Sequence, residues 1–357
     1  MRISIGGDIS IHGSEIVEKL FSEQDARSLF QDVPQTWEES DYVLVNLECA
    51  ITDKDAKIKK FGPNLKAPYG TAEVLKKIGV THCCLSNNHI FDFGKVGVKD
   101  TIAELDKNQI GYTGYGQDEQ TARRNLYIEK DGQRICVICV CEHEYSYALP
   151  NREGARAYDP YDTNDDIVEA KKNADFVVVI YHGGKEECQY PSPRLLKACR
   201  SMIKHGADVV LCQHSHCIGC YENYHGGHIL YGQGNFHFVY DAMMGKPTWK
   251  EGLLVHLNFT DKCTIEFVPT MIEEKGIRLA NADEKKRILD ELKERSASIQ
   301  DGSWQENWAK ICETFNRYKR IVSEETIDTF SHFLDCEAHL DVCKQIYKTW
   351  NWTNEME

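Results

Sequence analysis

The chain has 357 residues and carries 56 aspartate and glutamate residues against 42 lysine and arginine residues, a formal charge of −14 at pH 7. Hydrophobic residues make up 41% of it and charged residues 27%, a composition that excludes a mainly disordered chain. The acidic balance, with no dense run of lysine or arginine, removes the electrostatic basis for tight nucleic-acid binding. The length fits one large domain with an appendage, or two domains.

The fifteen cysteines and the apolar runs indicate the compartment. Many cysteines fall inside strand-like or helix-like segments, and their number is odd, which favours reduced thiols over a disulfide framework. The first residues enter a strand-like pattern without the apolar core of a signal peptide, and the apolar run at 176–181 is far shorter than a membrane helix. We therefore expect a cytoplasmic protein without a membrane anchor.

Taken in chain order, short β-branched or cysteine-rich apolar runs alternate with amphipathic stretches up to about residue 240. This alternation predicts a layered α/β core. The predicted strands lie at 2–5, 42–47, 82–85, 135–141, 176–181, 208–211 and 228–231, and a closing hairpin lies at 253–259 and 264–268. The predicted helices lie at 15–30, 72–78, 96–107, 165–172 and 194–205.

After about residue 280 the sequence becomes polar and helical, with predicted helices at 284–299, 304–321 and 324–350. We expect one domain over 1–270 and a helical extension over 280–357. An apolar stripe recurs at helical spacing in the extension, and it either packs on the core or docks a partner: Trp304, Trp308, Ile311, Phe315 and Tyr318.

Polar residues of metal-ligand type follow five of the predicted strands: Asp8, then Asn46 and Glu48, then Asn88 and His89, then His182, then His214 and His216. One such residue at a strand end is usually a turn or cap residue. Ligands of α/β sheets bind beyond the carboxyl ends of strands, so five occurrences predict a shared site. Carboxylate, amide and imidazole ligands suit borderline divalent ions, and two adjacent ions are favoured over one.

The motifs GGDIS (6–10), NLECAIT (46–52), SNNHIFDFGKVGVKDT (86–101), HGGKEE (182–187), GADVVLCQHSH (206–216) and ILYGQGNFHF (229–238) occur in this order. In order and spacing they resemble the capsule-synthesis CapA family, a branch of the calcineurin-like metallophosphoesterases. The resemblance covers about residues 1–240. It implies a four-layer α/β/β/α sandwich of two mixed sheets with a dinuclear metal site on one rim.

The resemblance also implies roles for individual residues. Glu48 would bridge two divalent ions, either Mn, Fe, Zn or Mg, because a shared anion offsets the repulsion between two dications. The other ligands would be Asn88, His182 and His214 on one ion, and Asp8 and His216 on the other. His89 would protonate a leaving oxygen and Asp92 would orient its imidazole.

Two features depart from the family pattern. The broader superfamily has a histidine where this chain has Ser10, so the shell of one ion lacks an imidazole, and His12 is a minor candidate to replace it. Many family members carry an N-terminal membrane anchor that we do not expect here. Its absence would argue against a role in capsule assembly at the cell surface.

Further residues are candidates for the substrate or for supporting roles. Glu186 either supports a ligand imidazole or is a solvated acid. Asn235 is expected to line the cleft, whereas we expect Asn46 and Asn87 to bond loop backbone. The remaining candidates are Lys60 and Lys66, in a basic loop that is either solvated or recruits an anion, and Cys217-x-x-Cys220, either half a zinc site or idle thiols.

Three functions follow as hypotheses. The first is a phosphoesterase in which a metal-bound hydroxide attacks phosphorus. The second is an enzyme acting on the amide bonds of a polyglutamate-like polymer. The third is a non-catalytic recognition module that keeps the metal cleft. Each implies a small or polymeric anionic substrate or ligand, and the oligomeric state stays open.

Overall fold

The structure is a computed structural model that describes residues 1–11, 26–142, 145–274, 276–324 and 327–354. The strands are β1 Arg2–Ser10, β2 Tyr42–Leu47, β3 Ala50–Ile51, β4 Lys66–Ala67, β5 His82–Cys84, β6 Gly111–Thr113, β7 Tyr115–Gly116, β8 Leu126–Lys130, β9 Gln133–Cys141, β10 Gly154–Ala155, β11 Phe176–His182, β12 Val209–Gln213, β13 Tyr221–Tyr224, β14 Gly227–Leu230, β15 Asn235–Phe238, β16 Glu251–Phe259, β17 Cys263–Glu273 and β18 Gly276–Leu279.

The α-helices are α1 Thr71–Lys77, α2 Gly94–Lys107, α3 Glu119–Ala122, α4 Pro160–Asn173, α5 Pro193–Lys204, α6 Ala282–Asp301, α7 Trp304–Thr314, α8 Asn316–Glu324, α9 Ile327–Asp335 and α10 Glu337–Asn354. Short 3₁₀ helices span Ala26–Phe30, Val33–Trp37 and Pro247–Trp249. Among the described residues, no helix is both long and apolar enough to cross a membrane.

Two mixed sheets form the centre of the fold. The first has the order β18-β17-β16-β1-β2-β5-β6, with β15 added beside the end of β1, and the second has the order β13-β14-β12-β11-β9-β8. In the first sheet β1, β2, β5 and β6 are parallel, and in the second β9, β11, β12 and β14 are parallel. Antiparallel strands complete the edges, which confirms the expectation of two mixed sheets.

Alternate residues of the two sheets face each other across an apolar core. This inner layer takes its side chains from both sheets: Ile3, Ile5, Leu44, Leu253 and Val255 from the first, and Val137, Cys139, Val178, Ile180 and Leu211 from the second. The opposite faces are covered by helices, α1 and α2 on the first sheet and α4 and α5 on the second. The predicted four-layer α/β/β/α arrangement is therefore confirmed. All fifteen cysteines are free thiols.

The C-terminal helices pack against the outer face of the second sheet. Trp304, Trp308 and Cys312 of α7 are buried in the same apolar cluster as Val177 and Val179 of β11. The apolar stripe predicted in the extension therefore packs on the core. The first sheet runs on to Leu279, three residues before α6 begins.

Several predicted elements differ from the structure. The helix expected at 304–321 ends at Thr314, where Phe315 leaves helical geometry at φ −79° and ψ 70°. The helix expected at 324–350 is divided between α9 and α10. These breaks bring Tyr318 and Phe333 into one buried cluster, a tertiary gain that outweighs helix propensity. Of the helix expected at 15–30, residues 15–25 lie outside the described residues and Ala26–Phe30 is a 3₁₀ helix.

We predict that Trp308→Ala destabilises the whole chain. Trp308 is fully buried between the extension and the second sheet, and truncating such a side chain costs about 3–5 kcal/mol. Denaturant unfolding followed by far-UV circular dichroism measures the change, and Tyr347→Ala, at an exposed position on α10, is the control. A Trp308→Ala protein as stable as the control would mean that the extension contributes nothing to the core.

Candidate metal centre

The polar residues at the strand ends converge on one rim, where both sheets end. Asp8 lies near the end of β1, Glu48 follows β2, and His182 ends β11. The loop after β12 supplies His214 and His216. All five side chains are buried, so the rim encloses a polar cluster at the junction of the two sheets.

Glu48 belongs to two groups of ligand-type atoms. Its carboxylate, Asp8 and His182 offer atoms that lie within 4.8 Å of one another, and so do Glu48, His214 and His216. Asn88 lies beside the first group, with Oδ1 3.0 Å from Nε2 of His182. The nearest groupings thus place Asp8 with His182 and His214 with His216. The family resemblance instead implies that His182 and His214 share one ion and that Asp8 and His216 share the other. Glu48 is common to both groups in the structure, as a bridging carboxylate must be.

Asn46 organises the first group. Its Nδ2 donates to Oδ1 of Asp8 at 2.6 Å and lies 2.9 Å from Nδ1 of His182. Asn87 fixes this amide by donating to Oδ1 of Asn46 at 3.0 Å and to the Leu47 carbonyl at 2.9 Å. Oδ1 of Asn87 also accepts from the His89 and Ile90 N–H groups, so the prediction that Asn87 bonds loop backbone is confirmed. The same prediction for Asn46 is wrong, because its amide contacts the side chains of Asp8 and His182. Its place near the end of β2, two residues before Glu48, is the signal that could have revealed it.

The acidic and histidine side chains of the cluster stabilise one another's charged forms and so shift one another's pKa values. Burial alone would raise the pKa of Asp8, but the contacts with His182, His216 and Asn46 lower it to about 2. Burial alone would lower the pKa of His182, but Glu48 and Asp8 raise it to about 10. The electrostatic environment of the rim therefore favours positive charge, which is the environment a divalent cation requires.

The loop after β12 holds its two histidines in an unusual backbone conformation. His214 and His216 have φ angles of 78° and 53°, in the left-handed region that residues with a side chain rarely adopt. The backbone N–H of His214 donates to Oδ2 of Asp8 at 2.8 Å, and Nδ1 of His216 lies 2.7 Å from Oδ1 of Asn235. Such conformations persist where surrounding contacts impose them, and they cluster at functional sites.

Asn235 thus supports a candidate ligand. It is buried, its Oδ1 faces His216, and its Nδ2 donates to the Trp249 carbonyl at 2.8 Å. It sits in β15, opposite Asp8 in the register with β1. Close approach of these strands requires Gly7, because a Cβ there would lie 2.8 Å from the Gly234 carbonyl oxygen.

His89 and Asp92 form a pair next to the cluster, and Lys60 joins them. Nδ1 of His89 lies 2.7 Å from Oδ2 of Asp92, and Nζ of Lys60 lies 2.5 Å from Oδ1 of Asp92 and 3.2 Å from Nδ1 of His89. The Leu65 N–H donates to the same Asp92 carboxylate at 2.6 Å. The side chain of Lys60 is only 2% exposed, so for this lysine the alternative of a solvated basic loop is wrong.

The other candidates lie further out. Lys66 donates to the carbonyls of Asp53 and Lys54 at 3.3 and 2.9 Å, within its own loop. Glu186 is 48% exposed and lies 4.0 Å from Lys185. Within the described part of the chain, every group of three acidic, histidine or cysteine residues close enough to share an ion includes Glu48, so Cys217 and Cys220 form no such group. His12 lies outside the described residues.

The residues of the rim fit divalent metal ions. Glu48 is fully buried, yet neither carboxylate oxygen has a hydrogen-bond partner among the described residues, and Nε2 of His182 lies 3.3 Å from Oε1. A buried carboxylate is stable only when it is hydrogen-bonded, paired or bound to metal. Carboxylate and imidazole donors match ions such as Mn, Fe or Zn, which bind histidine in its neutral form.

Comparison with known proteins places this site in a family. The family described as "Bacterial capsule synthesis protein PGA_cap" matches residues 2–240. The chain is 31% identical to the PGA biosynthesis protein CapA of Bacillus subtilis (strain 168), over 85% of this chain and 81% of that protein. It is 30% identical to the capsule biosynthesis protein CapA of Bacillus anthracis, over 82% of this chain and 72% of that protein.

Among solved structures, a 5'-nucleotidase precursor from Thermus thermophilus aligns with a TM-score of 0.45 and 12% identity, covering 85% of this chain and 60% of that one. A likeness at this level carries no inference about activity. The family match spans every motif from the Asp8 strand to the Asn235 strand. The chain belongs to the bacterial capsule synthesis protein PGA_cap family.

Proposed function

We propose that the chain is a metal-dependent hydrolase that cleaves phosphoesters with two divalent ions held around Glu48. The observation that carries this proposal is the fully buried Glu48 carboxylate, which has no hydrogen-bond partner among the described residues and belongs to both ligand groups. The proposed ligands are Asp8, Glu48, Asn88, His182, His214 and His216. When bound, two such ions would polarise a phosphoryl oxygen and activate a water molecule.

The protein supplies orientation and proton transfer. Asn46 holds Asp8 and His182 in place from one amide nitrogen, and Asn235 holds His216. Asp92 accepts a hydrogen bond from Nδ1 of His89, which leaves Nε2 to give a proton to a leaving oxygen. Lys60 and the Leu65 N–H also donate to the Asp92 carboxylate, so they fix the orientation of this pair.

A second candidate is hydrolysis of amide bonds in a polyglutamate-like polymer. The names of the relatives favour it, since one is a PGA biosynthesis protein and another a probable polyglutamine synthesis accessory protein. Polyglutamate, unlike polyglutamine, is anionic, as a phosphoester is, so the same metal centre would serve either substrate. The substrate test therefore includes both.

We predict that purified protein binds two divalent ions per chain and that Glu48→Gln abolishes the binding of at least one. The amide keeps the shape of the side chain but removes the charge shared by both ligand groups. Elemental analysis after Mn²⁺ loading measures the stoichiometry, and Glu169→Gln, at an exposed acid of α4, is the control. Equal metal content in the Glu48→Gln and Glu169→Gln proteins would refute the assignment of Glu48.

We predict that the Mn²⁺-loaded protein releases phosphate from an aryl phosphate and that a chelator abolishes the activity. His89→Ala should lower kcat by about 10²–10⁴, the usual contribution of general acid catalysis, with metal content unchanged. His205→Ala, at an exposed histidine directly after α5, is the control.

The same assay run with polyglutamate separates the candidates. Release of glutamate without release of phosphate would establish the second candidate over the first. A protein that binds both ions and turns over neither substrate would contradict both and favour a recognition module.

A further inference from the structure

We propose that the C-terminal extension supports the metal centre indirectly, because His332 positions the loop that carries Lys60. This inference rests on the proposed function for its catalytic meaning, but its geometry stands independently. The loop in question, here called the Lys60 loop, is residues 52–65 between β3 and β4. His332 lies in α9, more than 260 residues further along the chain.

The Lys60 loop is fastened to Asp92 on its inner side. The Ile58 N–H and Nδ2 of Asn64 both donate to the Asp92 carbonyl, at 3.0 and 2.9 Å. Nζ of Lys60 and the Leu65 N–H bind the carboxylate of the same residue. Any displacement of this loop therefore moves the groups that orient His89.

On its outer side the loop is held by aromatic side chains. The Phe61 ring stacks on His332 with centroids 5.2 Å apart, and the Phe61 N–H donates to the Tyr145 hydroxyl at 3.0 Å. The Tyr145 ring is parallel to that of His332 within 13°, and its hydroxyl lies 3.3 Å from Nδ1 of His332. Nζ of Lys60 lies 5.9 Å from the centroid of the Tyr145 ring. His332 is thus the common neighbour of Phe61 and Tyr145.

The strained backbone of Tyr145 supports a positioning role. Its φ angle is 67°, in the left-handed region that is unfavourable for an aromatic residue. The guanidinium of Arg317, in α8, lies 4.2 Å from the Phe61 ring centroid and adds a second contact from the extension. Strain of this kind persists where contacts from several elements impose it.

A buried ion network fixes the extension relative to the second sheet. Asp341 of α10 accepts from Nε of Arg194 at 2.8 Å and from the Ser192 hydroxyl at 2.5 Å. Arg194 also donates to Glu142 at 2.5 Å, and Glu142 accepts the Gly184 N–H at 3.1 Å, two residues after His182. The extension is therefore anchored at the same rim that holds the metal ligands, and α9 is a fixed support for the loop.

The test measures access to Lys60 without substrate or metal. Lysines of the intact protein are labelled with an amine-reactive reagent, and the rate at Lys60 is determined by mass spectrometry relative to exposed Lys57. We expect His332→Ala to raise the relative rate at Lys60 about 2- to 10-fold, the scale of one lost aromatic pair. His332→Phe keeps the stacking and should restore most of the protection, and Leu334→Ala, at an exposed position of the same helix, should change nothing.

Phe61→Ala removes the contact between Phe61 and His332 from the loop side, and it should raise the labelling rate at Lys60 as much as His332→Ala does. This second variant tests the inference even if His332→Ala folds poorly. In the activity assay, both variants should lower kcat more than they raise KM, because the loop orients His89. A Lys60 rate in His332→Ala equal to that in Leu334→Ala would overturn the inference, as would a uniform rise at all lysines, which indicates general loosening. Since labelling requires no turnover, this outcome is distinct from failure of the proposed function.

Discussion

The structure depends on burying two carboxylates, Asp8 and Glu48, at the junction of its two sheets. Both side chains are fully buried, and a charge removed from water is costly unless neighbouring groups replace its hydration. Asp8 obtains that replacement from Asn46, the His214 N–H and the His182 ring. Glu48 has no hydrogen-bond donor among the described residues, although imidazole atoms of His182, His214 and His216 lie nearby. Groups of the chain therefore replace the hydration of Asp8, whereas the hydration of Glu48 is not replaced by hydrogen bonds from the described residues.

The topology explains how one chain gathers these groups. Parallel strands of a sheet end at the same edge, and in this fold the carboxyl ends of β1, β2, β11 and β12 meet at one rim. An apolar layer fills most of the space between the sheets, and the ligand-type residues lie where that layer stops. The left-handed backbone of His214 and His216 also belongs to this junction of the sheets. His214 is the first residue after β12, and its N–H donates to Asp8 of the other sheet.

The sequence predicts the parts of the fold that local pattern determines. Strand and helix alternation predicts the layers, and a ligand-type residue after each strand predicts where the site lies. The features that the sequence does not predict depend on contacts between residues that are far apart in the chain. The break at Phe315 involves neither glycine nor proline, and the burial of Lys60 depends on Asp92, 32 residues away. The role of Asn46 is also missed, because in the sequence it looks like a turn residue and only the fold places His182 of β11 next to its amide.

A second buried network shows why the state of Glu48 is informative. Glu142 is buried, and it accepts from Arg194, from the Tyr181 hydroxyl and from the Gly184 N–H. Arg194 extends the network to Asp341, whose carboxylate is also bound by Ser192. Where a buried carboxylate serves the fold alone, this chain surrounds it with donors. Glu48, on the same rim, has no such donors among the described residues, and a carboxylate in that state is compatible with a bound divalent cation.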